Sequence, residues 1–363
     1  LEFRRVLFRS QGMTIWLKQM IARETGITCN VAFPFINGFI NEILEKCLEN
    51  PPDRDYFHPY IMEWKINEVL AREAQQFSDL SAYLKNDPTG LKKFQLAGQI
   101  ARCFDQYQVY RPQEIMDNLK DTTEFPWQKK LWQKLSTGKV DRSTGFQRFL
   151  DLKNCQTLKN IGRVSIMGIF SMPPVFIEFF NHLARFIDVN MFLPFPIDFQ
   201  QYQAQYSGDL YNLKITQTST INPLIETIGN AGMDFFHLLR YSKSNFIPFF
   251  AKNENHSILK LFQISIQSHN INTQDIPQEK IPTLQFHNCH SRMREAEVLH
   301  NNILQLLDNE NITPADIHVM MPDIAIYSPY IKAVFDRGDI NATKTSQKIP
   351  YTITDNTITF ETP

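Results

Sequence analysis

Val164-Ser165-Ile166-Met167-Gly168, then Pro173-Pro174, then Val189-Asn190-Met191-Phe192-Leu193: the order of these three runs decides the fold class. The first is short, apolar and closed by a glycine, as a buried strand reads. The paired prolines stand where a helix opens, because the first helical position has no use for an N–H. The third run is a second strand. Strand, helix and strand in this succession form a parallel βαβ unit, so the chain is expected to be α/β.

Upstream of that unit the pattern alternates in the same way. Met13, Trp16, Leu17, Met20 and Ile21 make one helical face, at the i, i+3, i+4, i+7, i+8 spacing. Thr25-Gly26 stops it, Ile27–Val31 reads as a short strand, and Ile36, Phe39, Ile40, Ile43, Leu44 and Cys47 repeat the helical period. Residues 11–50 are therefore the first part of the α/β core and 161–200 its return. Between them, 51–160 is helical, with Trp64, Phe94, Ala97, Ala101 and Phe104 expected on inner faces and a loop at Asn86-Asp87-Pro88-Thr89-Gly90. It reads as an insertion. Residues 201–280 are a polar linker with helices near 224–240 and 256–264, and loops are expected over Gln200–Ser219 and Gln267–Lys280. A second α/β piece fills 281–363, with strands at Leu284–His287 and Ile317–Met321, a helix at Arg294–Leu307 and a β-rich run Tyr351–Phe360. It reads as incomplete. Leu1–Ser10 has no initiator Met, carries Arg4, Arg5 and Arg9, and reads as a non-native leader.

Composition narrows the function classes. Of the 363 residues 43% are hydrophobic, with 29 Phe, which supports sizeable aromatic cores for two or three domains. Lys+Arg 37 against Asp+Glu 38 leaves no global basic excess, so contact with nucleic acid must come from local patches. Five scattered Cys with no CxxC pair argue for reduced thiols in a cytosolic setting. No apolar run approaches the ~20 residues a membrane span needs.

Two stretches carry candidate binding chemistry. Phe104-Asp105-Gln106-Tyr107-Gln108-Val109-Tyr110-Arg111-Pro112 sets flat aromatics and amides beside a carboxylate and a guanidinium, groups suited to stacking and to base edges. Pro112 biases Arg111 away from helix, so the preceding helix should break there. Trp127–Arg148 carries Lys129, Lys130, Lys134, Lys139, Arg142 and Arg148 against the single acid Asp141, with Trp127, Trp132 and Phe146 interleaved. Cations for phosphates and rings for bases are what a single-strand groove requires. A solvated helix with buried Trp is the ordinary alternative.

Catalytic patterns are weaker. No GxxxxGK[ST] phosphate loop occurs, and Thr137-Gly138-Lys139 lacks its upstream glycine. Asp53 with Glu63-Trp64-Lys65 fits the sparse PD…(D/E)xK nuclease pattern, which needs Glu and Lys on one strand, whereas residues 60–76 read as helix. His287, Cys289 and His290 lack the second ligand pair of a zinc site. No catalytic or metal-binding residue is expected.

Phe104–Pro112 resembles a signature of the gamma-subunit family of exodeoxyribonuclease V (RecC), and further blocks follow in that family's order. They are Gly12-Met13 with Trp16-Leu17, Phe33-Pro34, Met167–Val175, Asn222-Pro223-Leu224, Phe286–Ser291, Arg294–His300 and Tyr327-Ser328-Pro329. The family's chains are much longer, so the resemblance implies an amino-terminal fragment. It also implies a superfamily 1 helicase-like core without a working phosphate loop: 11–50 and 161–200 as domain 1A, 51–160 as domain 1B and 281–363 as an incomplete domain 2A. The implied role is that of a non-motor subunit that guides and scans single-stranded DNA for a Chi-like sequence in recombinational repair. Implied partners are DNA (single strand and duplex fork) and RecB-like beta and RecD-like alpha subunits in a heterotrimer, in the bacterial cytoplasm and without a membrane. ATP and Mg would be used by those subunits, with no cofactor in this chain. Carried over residue by residue, sequence recognition falls on Phe35, Asp105, Gln106, Arg111 and Arg142, and phosphate contact on Lys129, Lys130, Lys134, Lys139 and Arg148. Ile15, Asn41 and Arg102-Cys103 depart from the family's usual residues, which implies a changed or weaker recognition sequence. The competing reading is an active helicase whose phosphate loop was lost by truncation, or a nuclease using Asp53, Glu63 and Lys65.

Overall fold

Val164, Ser165 and Ile166 are all buried, which is what a strand covered on both faces demands. In the computed structural model Arg163–Met167 (β2) is the middle of a three-stranded parallel sheet, between Val6–Leu7 (β1) and Asp188–Phe192 (β3). Val164 lies opposite Val189 and Ile166 opposite Met191, and a helix at Pro174–Leu183 (labelled α9 below) makes the crossover. The βαβ reading of this region stands. The structure describes residues 5–7, 11–29, 31–116, 126–195, 203–218, 222–242, 244–247, 257–268, 282–308, 311–336 and 348–353.

The start of the chain carries the edge of this sheet. Val6 and Leu7 are buried and pair with Ser165 and Ile166, and Arg5 bridges to Ala32. Two adjacent apolar residues suffice to complete the edge of a parallel sheet, and the arginines around them hid that signal.

Along the first part of the chain the helices are α1 (Gln11–Thr25), α2 (Ile36–Cys47), α3 (Pro59–Glu73), α4 (Ser78–Tyr83), α5 (Leu91–Tyr110), α6 (Pro112–Met116), α7 (Pro126–Ser136), α8 (Arg142–Leu150) and α9. Then come strands β4 (Ala204–Ser207) and β5 (Lys214–Thr218), and helices α10 (Pro223–Ile228), α11 (Asn230–Tyr241), α12 (Ile258–Gln267), α13 (Arg292–Leu307) and α14 (Ile324–Phe335). The architecture is mixed α/β, mostly helical with small sheets. The chain forms two compact units, one of Leu1–Glu254 with Phe262–Gln274 and one of Asn255–Leu261 with Asp275–Pro363.

The first unit holds two large cores. One gathers Phe39, Ile40, Ile43 and Leu44 of α2, Val164 and Ile166 of β2, and the apolar face of α9. Phe146 and Phe149 of α8 also enter it, although α8 falls within the 51–160 stretch that reads as the helical insertion. The second core is built mainly from helices: Met62, Ile66 and Leu70 of α3, Ala97, Ile100, Ala101 and Phe104 of α5, and Leu131, Trp132 and Leu135 of α7, joined by Phe57 and Phe77 from the connecting turns. Trp64 is not part of it. It is 63% exposed and lies against Phe94, opposite the expected inner face.

Several expected strands and loops differ. Gln200–Ser219 reads as loop in sequence, yet β4 and β5 pair there as an antiparallel ribbon with a bulge at Gln205/Tyr206. Ile27–Cys29 is not a strand, and Ile27 turns to solvent; Asn30 lies outside the described residues. Neither Leu284–His287 nor Ile317–Met321 forms a strand, and Phe286 and Met320 are 86% and 94% exposed. A strand needs a paired neighbour, and among the described residues the second unit offers none. Its core comes from helices, with Ala296 and Ile303 of α13 against Ile331, Val334 and Phe335 of α14. Most of the expected Tyr351–Phe360 strand run and of the Gln267–Lys280 loop lies outside the described residues.

Candidate nucleic-acid interface

α5 ends where Pro112 forces it to. Tyr110 is the last helical residue, Arg111 leaves helical geometry at φ −137°, ψ 51°, and its N–H still donates to the Tyr107 carbonyl at 2.9 Å. Pro112 then opens α6 at the position where a missing N–H costs nothing. The exposed Arg111 guanidinium lies over the Tyr107 ring, 5.9 Å from its centroid.

Helix α8 begins against this end of α5. Asp141 caps it, accepting from Thr144 N at 3.0 Å and from the Thr144 hydroxyl at 2.9 Å. Gln108 holds the same turn. Its Oε1 accepts from Arg142 N at 3.0 Å, and its carbonyl accepts from the Ser143 hydroxyl at 3.1 Å. The expected set of base-reading amides in Phe104–Pro112 therefore divides: Gln106 is exposed, whereas Gln108 is buried and structural. The sequence carried a sign of this, since Gln108 follows buried Phe104 by four residues on one helix face.

Arg142 is the first residue of α8 and is half-buried. Burial pulls its guanidinium below the ordinary value, while the negative charge of Asp105 on α5 works to hold it up. It remains charged. Two expected recognition residues, Asp105 and Arg142, are thus brought within electrostatic reach, with Gln108 bracing the backbone between them. Gln106 follows on α5, and Arg111 stands just past its end. Phe35 sits elsewhere, as the N-cap residue of α2, and is 53% exposed.

The basic stretch is less free than its sequence. Lys134 pairs with Glu73 of α3. Lys139 pairs with Asp53 at 3.6 Å and lies over the Tyr56 ring. Arg148 donates to the Asn50 carbonyl at 3.2 Å. Lys130 is exposed and Lys129 half-buried on α7. The aromatic half of the expectation is corrected: Trp132 and Phe146 are buried in the two cores, and Trp127 packs against the helical one. Those rings serve packing first.

The nuclease pattern is dismantled by the same contacts. Asp53 accepts from Val140 N at 2.9 Å, Glu63 and Lys65 lie on α3, and Lys65 stands over Tyr56 at 4.3 Å. Residues two apart on a helix point in different directions. Among the described residues no group of His, Cys, Asp and Glu is arranged to hold a metal, and no helix is long and apolar enough to cross a membrane. In the second unit Arg294 pairs with Glu297 at 3.0 Å and Tyr327 donates to Glu295 at 2.7 Å, so the Arg294–Glu297 segment joins α13 to α14.

A model of the RecC N-terminal domain matches residues 1–269, including the end of α5 and all of α8. The chain belongs to the RecC family. It is 28% identical to the RecBCD enzyme subunit RecC of Escherichia coli over 96% of this chain and 36% of that protein. It is 29% identical to the same subunit of Haemophilus influenzae, over 97% of this chain and 38% of that one, and 26% identical to that of Mycolicibacterium smegmatis over 92%. The RecC family match covers both cores of the first unit, while the chain spans little more than a third of the length of the curated relatives it matches.

Proposed function

We propose that this chain is the DNA-guiding part of a non-motor subunit of a RecBCD-type exodeoxyribonuclease V. It receives one strand of a duplex fork, passes it across the α5–α8 junction and scans it for a Chi-like sequence during double-strand break repair. The observation that carries the reading is the seating of the first turn of α8 on the end of α5 through Gln108, with Arg142 in the field of Asp105, inside a RecC match. Arg forks onto guanine and a carboxylate accepts from a base amino group, so the pair has the chemistry of base readout. A superfamily 1 helicase-like core without a phosphate loop is part of the proposal, supported by the parallel β1–β2–β3 sheet and by the absent GxxxxGK[ST] sequence. Partners are a RecB-like beta and a RecD-like alpha subunit in the bacterial cytoplasm, which supply the ATP- and Mg-dependent chemistry.

Two experiments test it. The full-length protein should co-purify with its beta and alpha subunits and, on its own, neither hydrolyse ATP nor cut DNA. A DNA-stimulated ATPase signal that survives rigorous purification contradicts the reading.

A further inference from the structure

Cys47 closes α2 and Cys155 precedes the turn Gln156–Asn160, yet their sulfurs lie 2.6 Å apart across 108 residues of sequence. Both are free thiols. Thr157 holds the pair in place, its hydroxyl donating to the Lys46 carbonyl at 3.2 Å and lying 2.9 Å from the Cys155 sulfur. Only Cys155 of the two lines an open groove of about 620 Å³, whose wall also carries Lys153, Lys159 and Arg185 against the single carboxylate Asp151. A thiol at the wall of a cationic groove, with a second thiol in contact behind it, is the arrangement of an attacking and a resolving cysteine.

We propose that Cys47 and Cys155 form a thiol–disulfide exchange site for anionic low-molecular-weight disulfides. The groove cations draw in the carboxylates of the small disulfide. Cys155, as thiolate, attacks one of its sulfurs, forming a mixed disulfide and releasing one small thiolate. Cys47 then loses its proton and attacks the Cys155 sulfur, forming the Cys47–Cys155 disulfide and releasing the second small thiolate. Two protein thiols are oxidised and one small disulfide is reduced to two thiols. The order follows from the environments. Burial and the neighbouring Cys155 thiol push Cys47 up to about 12, so it is the poorer first nucleophile. Once Cys155 is in a mixed disulfide its contribution to that rise disappears, and Cys47 becomes easier to deprotonate. The product ties the end of α2 to the strand-entry turn before β2, within one unit.

The test treats the reduced, folded full-length protein with oxidised glutathione, blocks remaining thiols and maps peptides by mass spectrometry. A Cys47–Cys155 cross-linked peptide is expected, and Cys47→Ser should accumulate the glutathione mixed disulfide at Cys155. Cys155→Ser should leave Cys47 unmodified. Cystamine, a cationic disulfide, should form the link several-fold more slowly, and Lys153→Ala with Lys159→Ala should remove most of that difference. Absence of the cross-link under conditions that oxidise other thiols, or its formation only in denaturant, overturns the site. Equal rates with both disulfides overturn the role of the cationic groove. Melting curves of both serine variants distinguish a misfolded protein from an inert thiol pair.

Discussion

Arg142 and Lys134 show how differently two cations of one basic stretch are used. Arg142 is half-buried beside Asp105, so its charge is already oriented and partly desolvated, and a base edge presented there meets a prepared guanidinium. Lys134 is spent on Glu73. Lys130, exposed on α7, retains its charge for a passing phosphate. Removing a phosphate contact lowers the salt slope of single-strand binding by about 0.7. Lys130→Ala is therefore expected to give about that decrease, and Lys134→Ala distinctly less, in anisotropy titrations of the full-length protein over a range of salt. Equal slopes for the two variants would show that Lys134 leaves Glu73 when DNA binds, contrary to this assignment. The sequence concealed the difference because the neutralising acids come from afar: Glu73 is 61 residues from Lys134, and the acid that pairs with Lys139 is Asp53, from before α3.

Among elements, the seating of α8 depends on one amide toward α5 and on one glycine toward Pro52. Gln108→Leu keeps the apolar bulk but leaves the Arg142 N–H and a buried turn unpartnered, a cost of about 1–3 kcal/mol. Gly145→Ala drives a Cβ into the ring of Pro52, which cannot rotate away, and should cost about 1–3 kcal/mol. Both should appear as lowered melting temperatures, and an unchanged melt for either would mean that the packing around α8 yields more readily than its contacts indicate. At this scale the sequence was legible wherever burial was two-sided or periodic. The β2–α9–β3 unit and the break at Arg111-Pro112 were read correctly because Val164, Ile166 and Pro112 leave few alternatives. The β4–β5 ribbon was missed because its Gln, Thr and Ser side chains look like loop, and an exposed ribbon buries too little to show a pattern. The helical face of α3 was misassigned at Trp64, since an aromatic residue is expected inside and this one lies on the outer side with Phe94. That Asp105 acts electrostatically on Arg142 follows from the packing of α8 against α5 and had no local signal beyond the family resemblance.

For the whole molecule, buried histidines set the acid limit. Burial first, then Arg185, lowers the pKa of His182 from its ordinary 6.5, and burial first lowers that of His237, whose ring meets the Tyr206 hydroxyl at 2.9 Å. A His lowered in the fold is neutral there while the unfolded chain takes up a proton, so stability is full above about 6.5 and falls as pH drops below it. Glu178, raised by burial above its ordinary 4.5, works in the opposite sense at lower pH. Thermal stability should therefore decline between pH 7 and pH 5.5, and a His182→Gln variant that keeps the fold should show a flatter profile; a rising profile would contradict this. The proposed role is to read a strand without performing chemistry on it. Its most direct test is the reconstituted complex carrying Arg142→Ala or Arg111→Ala in this subunit, with unwinding rate and response to the cognate sequence measured on one substrate. The account predicts unwinding at the wild-type rate with the sequence response lost, whereas a normal response, or failure of unwinding in a complex that still assembles, would contradict it.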